Sequence, residues 1–145
     1  MACPWGAEGI RNLRAEAVDI VVSLLPVREA ALLDLLQESD LCRKNGIGFL
    51  SFPIEDRTVP DSRDATAAFV ESLAAELDAG RSIAIHCRAG IGRSALIAAC
   101  VLVRSGMSSD EAFESIRLAR GCEVPDKPAQ RIWVTEFEEM VRAKR

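Results

Sequence analysis

Nine residues, His86-Cys87-Arg88-Ala89-Gly90-Ile91-Gly92-Arg93-Ser94, constrain this chain more than any other stretch. A short β-branched run, Ile83-Ala84-Ile85, leads in, and Ala95 to Val103 leads out, apolar and free of Gly and Pro. Brief and bounded by Gly80, the first run has the pattern of a buried strand. The second suits a helix buried on most of its faces. A Cys therefore ends a strand, two glycines bend the chain, and a helix begins at Arg93 or Ser94. Successive backbone N–H groups and a helix N-terminus then converge on one spot, which makes an anion site.

The residues around that spot supply a reaction. Oriented amides, a helix N-terminus and an arginine lower a thiol's pKa, so Cys87 is a candidate thiolate nucleophile. Arg93 follows Cys87 after five intervening residues, Arg88, Ala89, Gly90, Ile91 and Gly92. A loop of that length curling around a phosphate brings the planar guanidinium fork against two of its oxygens. Gly90 and Gly92 permit the crowded or positive-φ backbone of such a cradle. Ser94 sets a hydroxyl beside the sulfur. Arg88 and Arg57 add positive potential at the mouth.

Taken in order, the rest of the chain alternates strands and helices. Residues 1–16, with Pro4, Gly6 and Gly9, form a loose lead-in or a partial helix from Ile10, and Trp5 is expected to cover a core edge. Val18 to Leu25 is a strand, Arg28 to Lys44 a helix stopped at Asn45-Gly46, and Ile47 to Ile54 a second strand. A crossover of that length implies parallel neighbours. Asp64 to Ala79 is an amphipathic helix ending at Gly80. Ser82 to His86 is the third strand, expected at the centre of the sheet. Ser108 and Glu111 make a capping box for a helix that stops at Gly121, and a last helix runs from Gln130 to Arg142, with Ile132, Trp133, Phe137 and Met140 facing in. The expectation is one α/β domain over residues 17–143: a mostly parallel sheet flanked by helices, with the Cys-x5-Arg loop between a central strand and a helix.

A thiolate that displaces phosphate from an alcohol or phenol needs an acid for the leaving oxygen. The polar loop after the second strand offers Glu55, Asp56, Asp61 and Asp64, at the sheet end where α/β folds bind ligands. Asp61 to Asp64 also suit a helix cap.

His86-Cys87-x5-Arg93-Ser94 with its Ala-Gly-Ile-Gly filling resembles the signature of the cysteine-dependent protein tyrosine phosphatases, in particular the compact atypical dual-specificity branch. The likeness extends over roughly Ala17 to Val141. It implies a phosphomonoesterase that works through a cysteinyl-phosphate and takes a phosphorylated protein or peptide as partner. Among the four carboxyls it favours Asp56, since small members place the acid after a Pro-Ile-x pattern, here Pro53-Ile54-Glu55. It further implies that Ser94 assists departure of the sulfur. His86 is expected to support the loop through hydrogen bonds rather than to shuttle protons, and Gln130 matches by position a Gln that holds the hydrolytic water in some relatives. Related small phosphatases generally carry an extra strand before residue 17, which is not evident here.

Two alternatives stand beside that reading. A rhodanese-type sulfurtransferase also has a Cys, a Gly and an Arg in an anion loop, usually with one residue fewer. A silent phosphoprotein-binding module typically loses the Cys, the Arg or the acid, all of which are present. The net charge of −4 argues against nucleic acid as a partner. The loop has no lysine of the kind that phosphoinositide specialists carry. No apolar stretch has membrane-spanning length, which leaves the cytoplasm as the expected compartment. Five irregularly spaced cysteines and a single His give no metal-ligand pattern, and no cofactor is implied.

Overall fold

A computed structural model describes residues 1–144. Three parallel strands make the sheet, in the order β2-β1-β3: β1 Ile20–Ser23, β2 Gly48–Ser51 and β3 Ile83–His86. Residues of β1 alternate between two cores. Ile20 and Val22 pack into the larger one with Leu96, Val103, Phe113, Val134 and Phe137, whereas Val21 joins Ile10, Cys42 and Ile47 on the other face. The central strand β1 is thus sandwiched between helices, as expected of a parallel strand buried on both sides. The strand that delivers Cys87 is not central. Among the described residues it pairs with β1 alone, and β1 takes the middle. The backbone of Met1 and Cys3 lies against its outer side: Cys87 N–H donates to Met1 O at 3.4 Å, and Cys3 N–H donates to Arg88 O at 3.1 Å.

The lead-in is more ordered than its composition suggests. Helix α1 spans Gly6–Ala15 and buries Ile10 completely. Trp5, just before it, covers no core edge and is 89% exposed. The single helix expected over 28–44 is two, α2 Val27–Leu32 and α3 Glu38–Lys44. The break has a local cause in Asp34, whose φ of 56° lies in the left-handed region and cannot continue a helix.

The remaining helices follow their capping residues. Helix α4 spans Arg63–Asp78, and its N-cap is Ser62, which accepts from Ala65 N–H at 3.1 Å; neither Asp61 nor Asp64 serves as the cap. Helix α5, Arg93–Arg104, begins at the second loop arginine and is buried along most of its length. Ser108 caps α6, Ser109–Arg120, which ends on left-handed Gly121. Helix α7, Pro128–Ala143, starts two residues earlier than expected and turns Ile132 outward, 58% exposed, while Trp133 and Phe137 stack in the core. Helices α4 to α7 cover one face of the sheet, and α1 and α3 cover the other.

Candidate functional site

The loop from Cys87 to Gly92 and the first turn of α5 enclose a cleft of about 240 Å³ at the C-terminal end of the strands. Gly90, at φ 77°, makes a bend in the left-handed region that a β-carbon disfavours. A side chain there would also overlap the backbone of Met1 and Ala2. Buried Cys87 sits at the base of the cleft, 3.4 Å from the Ser94 hydroxyl. Burial alone would raise its pKa. The Ser94 hydroxyl and N–H, the Gly90 N–H and the Arg93 charge together outweigh that effect and hold the thiol below its ordinary value.

Arg93 is 2% exposed and held from several directions. Its Nη1 and Nη2 donate to Glu29 Oε1 and Oε2, each at 2.8 Å, and Nη1 also donates to Ile54 O at 2.9 Å. Burial works against the charge, but the paired Glu29 carboxylate keeps the guanidinium protonated. Its terminal edge is therefore committed to Glu29, which leaves for an anion the Nε–Nη2 edge, shared at Nη2 with Asp56. Asp56 lies 3.1 Å from Nη2 and is half exposed. Asp56, Arg57, Arg88, Ala89, Ile91 and Gly92 all line the cleft. Asp61 and Asp64 do not.

His86 is wholly buried beneath the loop. Its Nδ1 lies 3.2 Å from Cys87 O, and its Nε2 lies 2.6 Å from Oε2 of buried Glu38. His86 is thereby fixed in orientation. Gln130, fully buried on α7, borders the cleft and donates from Nε2 to Thr58 O at 3.3 Å. Its Oε1 has no hydrogen-bond partner among the described residues.

Three carboxylates escaped the sequence reading: Glu29, Glu38 and Asp126. Asp126 lines the cleft, and its carboxylate crowds the position that a β-carbon at Gly92 would take. Glu29 had one signal, a carboxylate in the first turn of a helix that follows Pro26. Glu38 and Asp126 had none, because their partners lie far away in sequence. Among the described residues no cluster of His, Cys, Asp and Glu is arranged to hold a metal ion. All five cysteines are free thiols.

A cysteine at a strand end, its thiol pKa depressed, inside an amide-lined loop closed by an arginine, defines the cysteine-phosphatase class of site. The comparisons name the family. Residues 1–107 match the family model described as a polymorphic toxin system DSP-PTPase phosphatase, and the chain belongs to that family. It is 34% identical over 106 residues to rat cyclin-dependent kinase inhibitor 3, covering 72% of this chain and 50% of the relative. The chain thus spans about half the length of the curated relatives it matches. Among solved structures, kinase associated phosphatase with its catalytic-site cysteine replaced by serine superposes with a TM-score of 0.89 at 25% identity, over 98% of this chain and 85% of that one. PTPMT1 in complex with PI(5)P superposes with a TM-score of 0.84 at 25% identity, over 99% and 90%.

Proposed function

We propose that this chain is a phosphomonoesterase of the protein-tyrosine and dual-specificity type, with Cys87 as nucleophile, Arg93 as phosphate clamp, Asp56 as acid and base, and Ser94 as the group that eases release of the sulfur. The Cys87 thiolate attacks phosphorus in line. As the P–O bond to the leaving group breaks, protonated Asp56 gives its proton to the departing oxygen. The amides of Arg88 to Gly92 and the free edge of Arg93 hold the remaining oxygens. Water then attacks the cysteinyl-phosphate and passes a proton to the Asp56 carboxylate. The P–S bond breaks, and the Ser94 hydroxyl donates to the returning thiolate. Gln130, with an unpaired buried Oε1 at the cleft, is suited to orient that water.

One observation carries the reading: a single cleft holds a thiol of lowered pKa, a buried arginine held in place by Glu29, and a carboxyl 3.1 Å from that arginine. The same triad speaks against a silent binding module, and the five-residue interval against a sulfurtransferase. A phosphorylated protein or peptide is the substrate, and the free cysteines fit a reducing compartment such as the cytoplasm. No helix among the described residues is long and apolar enough to cross a membrane. The test is hydrolysis of an aryl phosphate as a function of pH, with Cys87→Ser as control. Turnover that vanishes in Cys87→Ser while vanadate still binds is the expected result, and retained turnover would refute covalent catalysis by this residue.

A further inference from the structure

Beside the phosphate cleft lies a second hollow of about 430 Å³, within the ~300–1,000 Å³ range of ligand sites. Arg88 lines both. Around the hollow, Pro4 and Trp5 come from the segment before α1, and Leu33 and Asp34 from the break between α2 and α3. Its wall is largely apolar: Trp5 is 89% exposed, and Pro4 and half-buried Leu33 stand beside it. Burying a large aromatic normally contributes strongly to stability or binding, so an exposed Trp on the wall of a concavity is a prepared contact surface.

We propose that this hollow is a substrate subsite that takes an apolar side chain flanking the phosphorylated residue of a peptide. The inference rests on the phosphatase reading and adds the class of substrate. Sharing Arg88 makes the two depressions neighbours, so a chain that delivers its phosphate to Cys87 carries its adjoining residues past Trp5. Trp5 and Leu33 supply the apolar contact. Asp34 and Arg88 leave one acceptor and one donor group at the rim for the peptide's own N–H and C=O. A concave site fits a side chain rather than the plane of a bilayer. The net charge of −4 likewise disfavours an anionic lipid surface.

The experiment compares kcat/KM for phosphotyrosyl peptides that differ only in Leu or Ala beside the phosphoresidue, in the natural chain and in Trp5→Ala. Because Trp5 is almost fully exposed, its replacement leaves the fold intact. The expected result is a preference of about tenfold or more for Leu in the natural chain, carried mainly by KM, and a ratio near one in Trp5→Ala. A direct binding readout accompanies it. Trp5 and Trp133 are the two tryptophans, so in Cys87→Ser the Leu peptide should shift the emission of the exposed one, and Cys87→Ser/Trp5→Ala should show no shift. Equal rates for the two peptides, or a preference that survives in Trp5→Ala, overturn the subsite. A strong preference for phosphoinositide vesicles over both peptides, lost in Trp5→Ala, overturns it in favour of a lipid contact. Turnover of a plain aryl phosphate on the same preparations separates the two claims. Aryl phosphate turnover without flanking-residue selectivity removes the subsite alone, whereas absence of aryl phosphate turnover removes the phosphatase reading and the subsite with it.

Discussion

Arg93 divides its guanidinium between structure and chemistry, and the neighbouring residues inherit that division. An arginine fixed by Glu29 and Ile54, as the proposed clamp is, would meet its anion already oriented, which lowers the entropy lost on binding. Ser94 acts on the sulfur itself. In Ser94→Ala a bond that lowers the Cys87 pKa is lost while burial is unchanged, so the pKa rises toward that of an ordinary thiol. The rate of Cys87 alkylation by iodoacetate, followed against pH, should show its rising limb displaced to higher pH. Hydrolysis at slightly acidic pH should fall accordingly. Asp56 belongs to the same scale. Asp56→Asn should slow turnover of substrates with poor leaving groups by on the order of 10²–10⁴, and far less when the leaving group is a good one. Asp61→Asn should do neither, because Asp61 lies outside the cleft. A loss in Asp61→Asn alone would reassign the acid.

Among the elements, α2 shows how a helix too short to be stable alone contributes to a site. It buries none of its residues, and its clearest task is to hold Glu29 against Arg93. Glu29→Gln keeps the shape but removes the charge that compensates a buried guanidinium, so it should cost about 1–3 kcal/mol of stability. It should also cut kcat/KM about tenfold, measured by urea unfolding and by aryl phosphate turnover. One side-chain cap was legible in sequence: Ser108 with Glu111 marks the start of α6, and Gly121 marks its end. The loop from Cys87 to Ser94 was legible too as a candidate site, since its parts lie within nine consecutive residues. What was not legible depended on long-range partners or on one backbone angle. Glu38 meets His86 across 48 residues and Glu29 meets Arg93 across 64, distances over which no periodicity speaks. Asp34 breaks a run of leucines whose spacing fits one continuous helix. Outward-facing Ile132 shows the opposite error, an apolar residue assigned to the core by type alone.

For the whole molecule, the two cores are unequal. The smaller, around Ile10 and Cys42, backs the sheet with α1 and α3, and burial lifts the Cys42 thiol to about 11, which keeps it an inert packing group. The larger joins α4 through α7, and Phe137 is among its most deeply buried side chains, stacked on Trp133 at 5.7 Å. Phe137→Ala should cost about 3–5 kcal/mol, read as a lower urea midpoint, while leaving the pH at which Cys87 ionises unchanged. Among the described residues the strand that ends before Cys87 has a neighbour strand on one side only, and on the other Met1 alone bonds it, at Ile85 O and at the Cys87 N–H just beyond. Hydrogen-bonding edges resist sliding in proportion to how many are occupied, so β3 depends on α5, packed behind it, for its alignment. The cleft is then a local opening unit, able to loosen while the helical layer stays folded. Phosphate in the loop would tie β3, the loop and α5 together, so ligand should slow amide exchange at Ala84 and His86 as much as in the loop itself. On warming, loss of activity should precede loss of helix, and the gap between the two temperatures should narrow when the anion is bound.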